Sequence, residues 1–289
     1  MDIVSLLIQT LNAVQYGLVL FLVASGLTLI FGIMRIINLA HGSFYMIGAY
    51  MAFGLSSGIT ETLPAMIAVG LILSFFIGFL LEWAFYAFLY QREHLEQVLL
   101  TYGLILVFEE LRSILFGNDV LGVPVPEVFA GSIPLTETLS YPVYRIFISA
   151  ACLIMAGLLY YLIRHTRLGM MIRAGSHDRT MVQALGININ LLFRIVFAIG
   201  FMLAAFSGMI SAPMTSVSPG MGNQVLIISF VVVVIGGIGS VGGAMVAAMV
   251  IAFADVFGKL LVPAYAGMFV YLVMALVLLW RPEGIFRKG

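Results

Sequence analysis

Residues 195–254 read IVFAIGFMLAAFSGMISAPMTSVSPGMGNQVLIISFVVVVIGGIGSVGGAMVAAMVIAFA, 60 residues without one Asp, Glu, Lys, Arg or His. A helix crosses the hydrocarbon core of a membrane with about 20 apolar residues, so this run must fold into several passes. Pro213 and residues 216–223, with Pro219, Gly220 and Gly222, read as a loop after the first pass. The remainder is split by Gly236, Gly237, Gly239, Gly242 and Gly243, with helical residues on both sides at 225–235 and 244–257. Each half is short for a full crossing, which predicts a broken or re-entrant helix pair.

The rest of the chain obeys the same arithmetic. Of 289 residues, 63% are hydrophobic and 9% charged, against roughly 45–50% and 25% in soluble domains. So few polar side chains cannot cover a water-facing surface. This excludes an ordinary soluble enzyme, a nucleic-acid binder and a disordered protein, and leaves solvation by lipid. Thirteen Lys+Arg balance thirteen Asp+Glu, so no net field gathers nucleic acid or acidic partners. The one cysteine, Cys152, lies in an apolar run and reads as a small buried hydrophobe; an intrachain disulfide is impossible. The first apolar run is too long for a signal-peptide core and lacks a basic flank, so no cleavable leader is expected.

Further charge-poor runs lie at 3–34, 36–60, 62–81 (apolar to about 89), 98–116, 146–163 and 260–280. The expected fold is an all-α integral membrane protein of about eight transmembrane helices, in one domain over 1–289. Positive charge sets its orientation. Residues 164–194 carry Arg164, Arg167, Arg173, Arg179 and Arg194 against Asp178 alone, and are expected to be cytoplasmic. Residues 117–142 carry Asp119, Glu127 and Glu137 with no Lys or Arg, and are expected to face out. Counting crossings then puts Arg35, Arg92 and the Arg281, Arg287 and Lys288 tail inside, with the N-terminus outward.

Several features could carry chemistry. In the basic loop Ser176 is placed to cap a helix over 177–185, with Asp178 in its first turn and Gly186 ending it. Met181, Ala184 and Leu185 then form an apolar stripe, which suits either docking of a cytoplasmic partner or rest along the headgroups. Asn38, His41 and Ser43 are polar residues at membrane depth, followed by the small pair Gly48 and Ala52. They suit a pathway lining or, equally, backbone satisfaction at a helix junction beside an interfacial Arg35. Residues 42–53 and 242–253 share a glycine, an alanine and a phenylalanine in register (Gly42/Gly242, Ala52/Ala252, Phe53/Phe253), a trace of a possible inverted repeat. Glu109 with Arg112 and Asp255 with Lys259 have helical spacing for ion pairs. Arg145 is expected to meet Glu109 or Glu110, and Glu82 to snorkel or meet Arg92. No phosphate-binding lysine follows the glycine run, and no His/Asp cluster suggests a metal or a catalytic centre.

Four ordered motifs resemble one family. They are Gly26-Leu27-Thr28-Leu29-Ile30-Phe31-Gly32 running into Ile37–Tyr50; Arg167–Ala174 with Asp178 and Ala184–Asn188; Val234–Ala244; and Arg281-Pro282-Glu283-Gly284-Ile285-Phe286. Together they resemble the branched-chain amino acid ABC-transporter permeases of the LivH type. The resemblance implies a non-enzymatic pathway subunit paired with a second, related permease. Two cytoplasmic ATPases, which would hold ATP and Mg, and a periplasmic substrate-binding protein complete such a transporter, in the inner membrane of a bacterial cell. It further implies that Arg173, Ala174, Ser176, Asp178, Met181, Ala184, Leu185 and Gly186 belong to the loop that docks on an ATPase. Gly175, where the family pattern expects alanine, and the acidic pair Glu109-Glu110 depart from that pattern. Import of urea or short amides by the same architecture, or a stand-alone channel or secondary transporter, are the alternatives.

Overall fold

Long apolar runs in lipid have one local solution, because only a helix satisfies every backbone group within its own segment. The computed structural model describes residues 3–58, 63–90, 92–136 and 139–286. Glu137, Arg287 and Lys288, used above to count charge, lie outside the described residues, as do the span ends at 60 and 62. The helices among the described residues are α1 (Ile3–Met34), α2 (His41–Gly58), α3 (Leu63–Ala84), α4 (His94–Phe116), α5 (Val143–His165) and α6 (Arg167–His177). They continue with α7 (Arg179–Ala184), α8 (Ile189–Thr215), α9 (Met221–Gly236), α10 (Val241–Leu261) and α11 (Ala266–Trp280). Helices α1, α3, α5, α8 and α10 are each long and apolar enough to span a membrane. The acidic loop adds a hairpin of β1 (Ser132–Pro134) and β2 (Ser140–Pro142), and Leu121 pairs with Val217 across the same end.

Two helices form the centre. The apolar windows of α1 and α8 are 89% and 72% buried, against 22% for α3 and α5. The peripheral helices instead expose large apolar side chains such as Phe76, Leu106, Ile154 and Leu276, a surface suited to lipid tails. At the centre α1 and α8 cross backbone to backbone: a Cβ on Gly26 would lie 2.5 Å from the Gly200 carbonyl oxygen. Gly48 likewise abuts the Ala205 backbone, so the small pair Gly48 and Ala52 seats α2 on α8.

The glycine run makes the expected break, with one correction. Gly237 (φ 92°) and Gly239 (φ 80°) turn the chain between α9 and α10 in conformations that only glycine adopts freely. Ser240 caps α10 by accepting from the Gly243 amide at 3.0 Å. Only the first half is short. Helix α9 is 16 residues, about 24 Å at 1.5 Å per residue, whereas α10 is 21 residues and spans. Pro213 is also inside α8 rather than in the following loop. It sits in the last turn, where one missing amide bond is tolerated. The glycines aligned by the possible repeat differ in role: Gly42 abuts Gly222, while a Cβ on Gly242 would meet nothing within 4 Å.

Candidate functional site

Most of the basic residues gather at one end of the bundle, together with the α9–α10 break; Arg112, Arg145 and Lys259 lie at the other. There Gly32 of α1 lies against Gly239, and the Ile285 amide donates to the Ile235 carbonyl at 2.8 Å. Two of the sequence motifs, the glycine run and the Arg281–Phe286 segment, thus meet at a single joint.

The basic loop folds as two short helices. Thr166 caps α6, and Asp178, not Ser176, caps α7 by accepting from the Met181 amide at 3.0 Å. Ser176 belongs to α6 and donates back to the Arg173 carbonyl at 2.8 Å. A carboxylate outcompetes the serine hydroxyl because it accepts the orphan amide while also matching the positive helix end. The expected helix over 177–185 is accordingly α7, Arg179–Ala184, with Leu185 as its C-cap and Gly186 beyond it at φ 80°. Met181 and Leu185 are 59% and 72% exposed, and Ala184 is exposed beside them. Val182 turns inward instead. Arg173 and Ala174 are exposed on α6, and Gly175 is buried against Ile189 and Leu192 of α8.

The first residue of α7 ties this loop to the central helices. Arg179 Nη2 donates to the Ile33 carbonyl at the end of α1 at 2.7 Å, and its guanidinium lies 5.1 Å above the Phe193 ring of α8. Burial, then the charge of Arg35, lower its pKa, although an arginine so placed stays protonated. Beside it Glu82, whose side chain is fully buried, pairs with Arg194 at 3.1 Å and accepts from the Tyr90 hydroxyl. This replaces the expected pairing with Arg92, which instead meets Glu96 at 3.6 Å on the surface. The signal available in the sequence was a lone acid inside an apolar span, which demands a cation from somewhere; Arg194, at the edge of the 60-residue run, supplies it.

Asn38, His41 and Ser43 are brought together at the deep start of α2, and all three are buried. Arg35 closes α1 in the left-handed region (φ 56°), and residues 35–40 turn back into the bundle. His41 Nε2 then donates to the Val23 carbonyl at 2.9 Å, about 16 Å inside the Met34 end of α1. Asn38 Oδ1 accepts from the Ala40 amide at 3.1 Å and from the Tyr86 hydroxyl at 2.8 Å. Asn38 Nδ2 and His41 Nδ1 are buried with no partner. Both structural and pathway-type features therefore coexist at this junction.

At the opposite end the expected pairs form: Glu109 with Arg112 at 3.1 Å, and Asp255 with Lys259 at 2.5 Å. Arg145 does not meet Glu109 or Glu110. Its Nη1 donates to Asn12 Oδ1 on α1 at 2.6 Å, because α5 packs beside α1. Among the described residues no group of three or more His, Cys, Asp and Glu side chains could hold a metal.

The family described as branched-chain amino acid transport system, permease component, matches residues 9–278. The high-affinity branched-chain amino acid transport system permease protein BraD of Pseudomonas aeruginosa is 31% identical, with 97% of this chain and 95% of that protein covered. The corresponding protein LivH of Escherichia coli K12 is 28% identical over the same shares. A probable LivH of Methanocaldococcus jannaschii is 25% identical, with 95% and 90% covered. A match of this extent, on a bundle of apolar helices, makes the protein a multi-pass membrane protein that belongs to the permease components of branched-chain amino acid transport systems.

Proposed function

We propose that this chain is the permease subunit of an ATP-driven importer for branched-chain or related amino acids, working by alternating access. The observation that carries this reading is α7. It is a capped helix that presents Met181 and Leu185 to solvent from a basic loop, while Arg179 fastens it to α1 and Phe193 of α8. An apolar face held out on charged surroundings is a docking element for a helix-in-groove partner. Its partner is one of two cytoplasmic ATPase subunits, which bind ATP and Mg and serve this chain and a second, related permease. A periplasmic binding protein delivers the solute. The basic end faces the cytoplasm, the acidic loop and N-terminus face the periplasm, and the membrane is the bacterial inner membrane.

Force applied to α7 passes through Arg179 to the ends of α1 and α8, which cross at Gly26 and Gly200. Movement there reaches the start of α2, where Asn38, His41 and Ser43 belong to the pathway. Their unpaired atoms, Asn38 Nδ2 and His41 Nδ1, would gain partners as the helices part, offsetting the cost of leaving them bare.

Affinity purification of the chain in mild detergent tests the assembly. Recovery of an ATPase and a second permease supports it; recovery of the chain alone, moving solute without ATP, supports a stand-alone channel instead. Leu185→Asp is expected to leave membrane insertion intact and to abolish ATP-driven uptake. Normal uptake by a well-expressed Leu185→Asp variant would remove α7 from the coupling role.

A further inference from the structure

A polar cavity of about 440 Å3 opens at the end of the bundle opposite the glycine joint, among α1, α2, α5, α8 and α10. That volume falls in the range of small-molecule sites, roughly 300–1,000 Å3. Its lining carries both signs of charge in separate places. On α5, Arg145 spends one N–H on Asn12 Oδ1, and among the described residues no carboxylate pairs with it. Asn12 is itself held by donating to Gln9 Oε1 at 3.2 Å, so the arginine is anchored at its rim while most of its five donors stay available. On α10, the Asp255 side chain is 10% exposed and, among the described residues, pairs with Lys259, whose side chain is 61% exposed. A solvated lysine is a weak and replaceable counter-ion. Val19, Met214 and Val256 add apolar wall to the same cavity. Ser211 and Tyr45 line it as well, both buried.

We propose that this cavity is a way-station for a zwitterionic α-amino acid with an aliphatic side chain. Arg145 receives the carboxylate, Asp255 receives the ammonium in exchange for Lys259, and the side chain lies on Val19, Met214 and Val256. The proposal rests on the reading of the chain as a solute pathway and adds where the solute stops and which groups recognise it. An uncharged amide or urea would leave Arg145 without an anion and offer Asp255 only neutral N–H donors in place of an ammonium, so the charge layout distinguishes the two solute classes. Bidentate capture by guanidinium also accounts for an arginine rather than a lysine at position 145.

The test uses the transporter assembled with its partners in proteoliposomes and carrying Thr215→Cys, which places a thiol at the exposed edge of the cavity. Cys152 is buried and stays silent. At about ten times its Kd, L-leucine is expected to slow labelling by a membrane-impermeant methanethiosulfonate about tenfold. Isoamylamine, which lacks the carboxylate, N-acetyl-leucine, which lacks the ammonium, and acetamide are expected to leave the rate unchanged. Adding Arg145→Gln or Asp255→Asn abolishes protection by leucine. Protection by acetamide equal to that by leucine, or no protection by leucine, overturns the site. Leucine uptake by the Thr215→Cys transporter without protection removes the way-station and leaves the importer reading standing. Uptake of urea in place of leucine removes the amino-acid reading and the way-station together.

Discussion

The two ends of the bundle are held by different kinds of contact. At the basic end the strong links run between helices distant in sequence: Glu82 to Arg194, Arg179 to the Ile33 carbonyl, and Ile285 to Ile235. At the opposite end the ion pairs Glu109–Arg112 and Asp255–Lys259 stay within single helices. Bridging there falls to hydrogen bonds without a buried ion pair: Arg145 with Asn12, the Tyr144 hydroxyl with the Ile210 carbonyl at 3.0 Å, and the Leu121–Val217 backbone pair at 2.8 Å. An intrahelical pair does not resist separation of its helix from a neighbour, whereas an interhelical one does. The structure is therefore laced at the end that carries α7 and more open at the end that carries the cavity.

Substitutions can break or sharpen this contrast. The largest effect is expected from Glu82→Ala, which strands Arg194 and the Tyr90 hydroxyl; losing one partner of a buried ion pair costs about 3–5 kcal/mol. Thermal denaturation in detergent, followed by size-exclusion chromatography, measures it. A melting point close to the unaltered protein would show that the lacing carries no strain. Arg179→Ala comes next. It removes a charged hydrogen bond worth about 1.5–3 kcal/mol, and ATP hydrolysis by the assembled transporter is expected to continue while uptake falls. Equal losses of both activities would mean that Arg179 holds the fold without transmitting motion. Gly239→Ala is expected to cost about 1–2 kcal/mol, because its left-handed backbone then carries a Cβ. Gly242→Ala, three residues on, serves as the unaffected control in the same melt. The smallest effect belongs to the open end: Lys259→Gln should change stability by less than about 1 kcal/mol, since the lysine is largely solvated and Gln keeps an N–H donor for Asp255. A larger loss would place the open end under the same constraint as the laced one.

The spans were legible because lipid imposes a simple code of charge-free length, and residues 3–34 read from sequence coincide with α1. The α9–α10 break was legible for a related reason: clustered glycines in an apolar run have few other uses. The cap of α7 was misread by two residues, because Ser176 and Asp178 are both capable caps and only the backbone shows where the helix begins. The partner of Glu82 was beyond sequence reasoning. Arg92 is ten residues away along the chain and Arg194 is 112 away, and nothing local says which is near in space. The depth of His41 was legible from its place in an apolar run, but not the way it is reached: residues 35–40 unwind and carry it to the level of Val23.

The joint at Ile235 has a consequence for how the protein is made. Chains leave the ribosome in order, so α9, the glycine turn and α10 are all synthesised before the residue that closes them. Until Ile285 arrives, the Ile235 carbonyl and the backbone of Gly237 lack the cover that the segment after α11 gives them. Insertion of α11 is thus an obligatory step between making the turn and sealing it. In that interval the nascent chain carries an unfinished seam, open to the insertion and quality-control machinery of the membrane.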